Sequence, residues 1–362
     1  MGFDRPSGKI VVFHFSSLSA NMLRRSILTL CFLLSLTLTL CGDDDLQRAE
    51  IALIYQRNTG GWPKNYPTKT PPTDKERQNI IADQSKTDST IDSGATHEEI
   101  RVLAEAFAKS GDARFRDAAL RGIQYLLNAQ YKNGGWPQYF PLRSNYSRHI
   151  TFNDNAMIGA MTLLQDAGSC HEDFGFVPQE MKLRCVSAVE RGIECVLRCQ
   201  IKLNGQLTVW CAQHDEVSFV PRKARSYELP SLSGNESVGI VRFLMALDDP
   251  NERTVRAIEA AIAWFEQSKL QGIRVVTVEG DEFERGFDRV VVEDPNAQPI
   301  WARFYDLQNQ RPIFCSRDGI PRANLADISY ERRNGYSWLG DYAGWLLEKD
   351  WPRWQERIKQ AR

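Results

Sequence analysis

From residue 96 onward the apolar positions recur with the period of a helix. Thr96 is a residue suited to cap a helix, Glu98 and Glu99 occupy the first turn, and Ile100, Leu103, Ala104 and Phe107 fall at i, i+3, i+4 and i+7, so the spacing predicts a helix over 96–109. Ser110-Gly111-Asp112 breaks it, and a second helix is predicted over 113–130 from Phe115, Ala119, Ile123, Leu126 and Leu127. The same reading gives helices over 155–167, 178–200, 234–248 and 251–269. Only 275–278 and 289–292 cluster as strand, which predicts a short hairpin around Glu279-Gly280-Asp281. The fold class is therefore mainly α.

The loops closing these helices repeat. Tyr55 to Pro63 contains Gly60-Gly61-Trp62-Pro63, Ala129 to Pro137 contains Gly134-Gly135-Trp136-Pro137, and Cys199 to Gly205 is followed by Trp210. The tryptophans at 62, 136 and 210 are spaced 74 residues apart twice over, and a fainter fourth copy is expected at Trp264 to Gly272. A period this long, with two helices per copy, reads as stacked helical hairpins. Closed into a ring, they would gather the Gly-rich loops on one face, where a cleft can form. An elongated solenoid for a protein partner is the other use of such an array, but it would repeat its surface, and these loops each carry different chemistry.

Charge changes the picture little. The 362 residues carry a net charge of −1, so no basic field points to nucleic acid. Nine tryptophans allow sugar stacking as well as core packing. At the front, Met22-Leu23-Arg24-Arg25 and the apolar run 26–40 resemble the basic and hydrophobic parts of an export signal, and the run is shorter than the ~20 residues a membrane span needs. Residues 1–42 are expected to be a leader with the true start at Met22, 43–362 a single catalytic domain, and the product secreted or periplasmic. A short membrane anchor is the competing reading, and Cys41-Gly42 as a lipid acceptor is weakened by Leu40 before it. Cys31 and Cys41 belong to this leader; Cys170, Cys185, Cys195, Cys199, Cys211 and Cys315 could form disulfides in an exported protein. Cys195 and Cys199 share a helix face, but nothing completes a metal site, so packing or a disulfide is expected there.

The chemistry collects in loops. The long irregular stretch 210–237 holds His214, Asp215, Arg225, Tyr227 and Glu236, and a segment of that length inside a compact domain is usually functional or disordered; its aromatic and Pro content argues against disorder. Thr90 to Thr96 presents Asp92, Tyr146 to Met157 presents His149 and Asp154, and a C-terminal region presents Arg303, Arg311 and Arg317. Each has a plainer use. Asp92 and Asp154 precede helices, where carboxylates cap free N–H groups; His149 fits a satisfied core histidine; Arg303 and Arg317 could pair with Asp294 and Asp318. Together, two loop carboxylates and three loop arginines suit a hard cation and an anionic ligand. A uronic acid polymer meets both.

The runs Gly60-Gly61-Trp62-Pro63-Lys64-Asn65, Thr90-Ile91-Asp92-Ser93-Gly94-Ala95-Thr96, Gly134 to Gln138, Thr151 to Met157, His214 to Ser237, Trp301 to Tyr305 and Arg311 to Phe314 resemble the pectate lyases of polysaccharide lyase family 10. The resemblance covers residues 50–352. It implies an (α/α) toroid with a central substrate groove and a few short strands, and calcium-dependent β-elimination of polygalacturonate. Asp92 and Asp154 resemble the family's metal ligands, Arg225 its catalytic base, and Arg303 and Arg317 its binders of substrate carboxylate. Tyr227 and His214 are expected as further substrate contacts and as the next candidate bases, Trp136 as a stacking surface, and the protein as a monomer with no stable membrane contact beyond the leader. Asn155 stands where a second aspartate is common, and the first helix is short. Two other readings stay open: a hydrolase using two of Asp92, Asp154, Asp215 and Glu236, and a non-catalytic uronate binder.

Overall fold

The computed structural model describes residues 44–169 and 171–361. The expected leader, with Cys31, Cys41 and the lipid-acceptor reading, and Cys170, lie outside the described residues. Residues Ala49–Arg362 form one compact unit. Its helices, in chain order, are α1 (44–55), α2 (Asp74–Ala82), α3 (His97–Ser110), α4 (Ala113–Ala129), α5 (Ala156–Ser169), α6 (Gln179–Cys199), α7 (Glu236–Met245), α8 (Glu252–Gln267), α9 (Tyr330–Gly335) and α10 (Trp351–Ala361). Helices α3/α4, α5/α6 and α7/α8 pair as antiparallel hairpins, α3, α5 and α7 lie side by side, and so do α4, α6 and α8. This is the (α/α) toroid expected.

The two layers are legible in their burial. Outer helix α4 buries one stripe (Phe115, Ala119, Ile123, Leu126), whereas inner helix α5 is buried on nearly every face from Ala156 to Leu164. The repeating tryptophans fasten one layer to the loops. Trp62 Nε1 donates to the Ala52 carbonyl at 2.7 Å, Trp136 to Leu126 at 2.8 Å and Trp210 to Val196 at 2.7 Å. A glutamine ending each outer helix repeats as well. Gln56, Gln130 and Gln200 each donate to a carbonyl of their own loop (Gly60, Gly134, Thr208) and to one on the next outer helix (Ala118, Ala188, Ala257). Every copy thus satisfies its helix end by reaching to its neighbour, which makes the ring cooperative. Gly60 and Gly134 sit at φ 95° and 93° against the Arg121 and Arg191 carbonyls, where a Cβ would come within 2.5 and 1.9 Å.

The fourth copy is not where the sequence suggested. Trp264 lies inside α8, and the residue that repeats the fastening is Trp301, which donates to Phe265 at 2.9 Å. A seven-by-seven antiparallel hairpin, Ile273–Glu279 with Phe287–Glu293, is inserted between helix and tryptophan and hides the period. The five described cysteines outside the leader (Cys185, Cys195, Cys199, Cys211, Cys315) are buried free thiols, which corrects the disulfide expectation for them. Among the described residues no helix is long and apolar enough to cross a membrane.

Candidate active site

The turns entering the inner helices carry the polar residues. Asp92–Gly94 and Asn153–Asn155 are short 3-10 turns that pack against each other. Each contains a non-glycine residue in the left-handed region, Ser93 at φ 53° and Asp154 at φ 49°, a strain that such turns keep only when the surroundings impose it. The capping reading of the two aspartates does not hold. The α3 entrance is closed by Thr96 N–H donating to Glu99, while the Thr96 hydroxyl donates to the Thr90 carbonyl. Asp92, buried, instead takes the Lys64 ammonium, and its Oδ1 has no partner. Asp154, 41% exposed, accepts from Asn153 Nδ2 at 2.7 Å and Arg303 Nη2 at 3.3 Å.

Two ladders bring Arg303 to this place. Leu232–Ser233 pairs with Phe304–Tyr305 and Leu339–Gly340 with Trp301–Ala302, and the Gly234 N–H donates to the Arg303 carbonyl at 2.9 Å. The side chain is buried; one nitrogen, Nη2, donates to Glu236, Asp154 and Asn153, while the buried Nε has no partner. Burial by itself would lower the Arg303 pKa, but the charges of Glu236 and Asp154 reverse it, so the guanidinium is held charged. Arg303 is accordingly a clamp on carboxylates, with little surface left for a substrate. The pairings weighed from sequence are not formed: Asp294 meets Arg274 and Asp318 meets Arg322.

Arg225 begins a tight turn. Glu228 N–H donates to the Arg225 carbonyl, and the Glu228 carboxylate takes the Arg225 N–H at 3.0 Å, Nε at 2.8 Å and Nη2 at 2.6 Å. Tyr336 adds its hydroxyl to Glu228 at 2.8 Å. Burial works to lower the Arg225 pKa; the bond to Glu228 and its charge outweigh it and push the pKa up. The sequence reading needed neighbouring cations to lower it. The Tyr336 ring lies 5.9 Å from Arg225 and 4.7 Å from Arg303, so it joins the two arginines. Burial raises the Tyr146 pKa, and its hydroxyl lies within electrostatic reach of Arg225, Glu228, Lys64 and Asp92. Arg317 is 63% exposed and held by Glu331 at 2.9 Å.

Three expected substrate contacts are buried. His214 is wholly enclosed, with Nδ1 on the Phe219 carbonyl at 2.8 Å and Nε2 accepting from Cys211 N–H at 3.0 Å. Burial lowers its pKa to about 4, so it is a neutral structural residue with both nitrogens engaged, neither base nor ligand contact. Trp136 is wholly buried and cannot stack on a sugar. Tyr227 sits in a satellite core with Phe304, Phe314 and Trp338, and its ring supports Arg225 (5.3 Å), Arg317 (5.6 Å) and Arg332 (4.5 Å). Lys64, Tyr146, Glu228 and Tyr336 were missed as site residues. Glu228 is adjacent to Tyr227 and could have been suspected; Tyr336 is over a hundred residues away and left no local signal.

For a hard cation the fit is with the first cluster: oxygen donors only, and a buried Asp92 Oδ1 left unpartnered. His149, Asp215 and Glu216 also converge. That trio is saturated, since Glu216 accepts from Arg148 and His149, and Asp215 from Arg222, Ser218 and Val217. Two of the four carboxylates of the hydrolase reading are engaged: those bonds, the Ser218 N–H foremost, depress the Asp215 pKa, and Glu236 is tied to Arg303 and Ser233. A cavity of about 730 Å³ runs between α5 and α7 and is lined by Asp154 and Glu236.

Comparison with known proteins agrees with this geometry. The family model for pectic acid lyase matches residues 56–347. A family 10 polysaccharide lyase from Cellvibrio cellulosa is similar in structure at 36% identity, with TM-score 0.73, covering 85% of this chain and 91% of that one. An Asp-to-Ala variant of the Cellvibrio cellulosa lyase in complex with trigalacturonic acid gives TM-score 0.75 at 36% identity, over 85% of this chain and 92% of that one. Among curated proteins nothing matches. With the match spanning most of the chain and the toroid and its charged inner turns in place, the chain belongs to the pectic acid lyase family and is a family 10 pectate lyase.

Proposed function

We propose that this lyase cleaves polygalacturonate by calcium-dependent β-elimination at the Asp92–Asp154–Arg225 face, and that it is exported. The observation that carries the reading is the juxtaposition of two packed, carboxylate-bearing strained turns with Arg303, on Asp154, and Arg225, both beside the Tyr336 ring. Elimination removes the C5 proton, which lies α to a uronate carboxylate, forms the C4–C5 double bond and breaks the C4–O bond, the leaving oxygen taking a proton from water to become a hydroxyl. Asp92 and Asp154 would hold calcium, which when bound supplies positive charge to the uronate carboxylate. Lys64, paired with Asp92, would yield it to the cation, and Arg303 keeps Asp154 and Glu236 oriented. Arg317, exposed and on the Tyr227 ring beside Arg225, has its Nε and Nη2 on Glu331 and takes a second uronate carboxylate in exchange for that pairing. Arg225 takes the C5 proton. Its guanidinium is charged while Glu228 holds it, so proton abstraction requires that pair to loosen, and the rate rises toward alkaline pH. Export rests on the pattern of residues 22–40 and is checked by cell fractionation.

The test follows the ultraviolet absorbance of the 4,5-unsaturated uronide on polygalacturonate. Calcium should support the signal, chelator should abolish it, and Asp154→Ala should lose calcium binding in calorimetry as well as turnover. Turnover unaffected by chelator would remove calcium from the mechanism, and new reducing ends without the absorbance would restore the hydrolase.

A further inference from the structure

Trp345 differs from the tryptophans that build the ring. It is the one tryptophan of the described residues standing largely in solvent, 56% exposed, just before the π-helical turn Leu346–Asp350. Turns of that kind are uncommon and recur at functional positions. The ring separates two cavities. The larger, about 660 Å³, is lined by Arg242, Arg353, Arg357, Asp350 and Trp354, and the smaller, about 360 Å³, by Lys269 and Glu348 among others.

We propose that Trp345 and Arg353 are the centre of a second site for anionic uronate polymer, distinct from the Arg225 cluster. The larger cavity holds three guanidiniums against one carboxylate. Arg242 is paired with Asp350 at 2.7 Å, and Arg357 donates to the Met245 and Leu247 carbonyls at the end of α7. Arg353 makes no ion pair among the described residues and is exposed. A guanidinium fork with no carboxylate of its own suits a uronate. An exposed indole supplies the flat apolar face on which a sugar ring packs. Trp354, which lines the same cavity, is 95% buried by its 5% exposure, yet its Nε1–H has no acceptor. Buried donors are nearly always satisfied, and a ligand oxygen would satisfy this one.

The site is also connected to the catalytic one. Arg242 and Ala246 line both the larger cavity and the one that reaches Asp154 and Glu236. Helix α7 runs between them, and its ten residues place the two regions about 15 Å apart. A long chain can be held at Trp345 while another part of it occupies the active site; a trimer that fills the active site has no residues left over for the second site. This rests on polygalacturonate being the substrate.

The test uses the full chain with chelator present, so that binding is read without cleavage. Electrophoretic retardation in gels containing polygalacturonate, against gels containing neutral galactan, is compared for wild type and the double variant Trp345→Ala/Arg353→Ala. Circular dichroism and melting confirm its fold, and Trp345→Phe is a rescue control. Polygalacturonate affinity should fall by about tenfold in the double variant, the loss of one stacking ring and one fork, and return in part with Trp345→Phe. Cleavage of trigalacturonate should be unchanged while KM for polymer rises. Equal retardation of variant and wild type overturns the proposal. So does equal retardation of wild type by neutral galactan, or sedimentation showing Trp345 covered by a second copy. A wild type that binds in the gel yet never cleaves trigalacturonate would fail the proposed function alone.

Discussion

The pairing of Arg225 with Glu228 makes the identity of the base testable. An arginine titrates above any workable pH, so the perturbation is Arg225→Lys, alone and with Glu228→Gln; an ordinary lysine titrates near 10. Glu228 is buried and accepts four hydrogen bonds: three from Arg225, at 2.6–3.0 Å, and one from Tyr336, at 2.8 Å. Two unit charges ~4 Å apart attract by about 4 kcal/mol at the effective dielectric of a protein surface. The Arg225 side chain is 43% exposed, and solvent screening reduces this to roughly 1–2 kcal/mol, or about one pH unit. Glu228 stabilises the charged form, so removing its charge lets the proton leave at lower pH. If the residue at this position takes the C5 proton, kcat/KM of Arg225→Lys shows an alkaline inflection about one unit above the ordinary lysine value near 10. Adding Glu228→Gln then moves that inflection down by about one unit. The assay is initial-rate absorbance of the unsaturated product on trigalacturonate across pH. An inflection that stays in place when Glu228 is neutralised refutes the reasoning, and Arg225 would then be a fixed positive charge facing the substrate.

Three further outcomes follow from the fold. Trp136→Phe, which removes a buried hydrogen bond to Leu126 and some volume, should destabilise by roughly 2 kcal/mol in urea unfolding while KM is unchanged; a raised KM at full stability would restore the stacking role. Burial holds both His97 and His214 neutral with pKa lowered to about 4. Unfolded histidine binds a proton near 6.5, so this contribution is complete above that pH and is lost as pH falls toward 4. The gap corresponds to roughly 3 kcal/mol per histidine, and unfolding curves that stay flat over that window would contradict it. Because Cys185, Cys195, Cys199, Cys211 and Cys315 are free, a reductant should leave their part of the fold and the Tm unaltered, and thiol titration in denaturant should count at least five without it.

Much was determined by sequence alone, for a physical reason: helical periodicity, caps and Gly-Gly-Trp loops are local signals, and a ring of repeated hairpins is built from local contacts. Helices α3 to α8 therefore start and stop within a few residues of where the apolar spacing put them. The loop aspartates and arginines were visible because they interrupt that pattern. Tertiary structure decided how those polar residues are used. Trp136 and His214 carry the residue types of a sugar site, yet packing encloses both, and nothing within a few positions of either could have revealed it. Trp301 replaced Trp264 as the fourth fastening because an inserted hairpin broke the spacing. Above all, Tyr336 reaches Glu228 and lies between Arg225 and Arg303 across more than a hundred residues of sequence in one direction. Such convergence is a property of where the ring closes: charge and burial at each group depend on neighbours that only folding supplies.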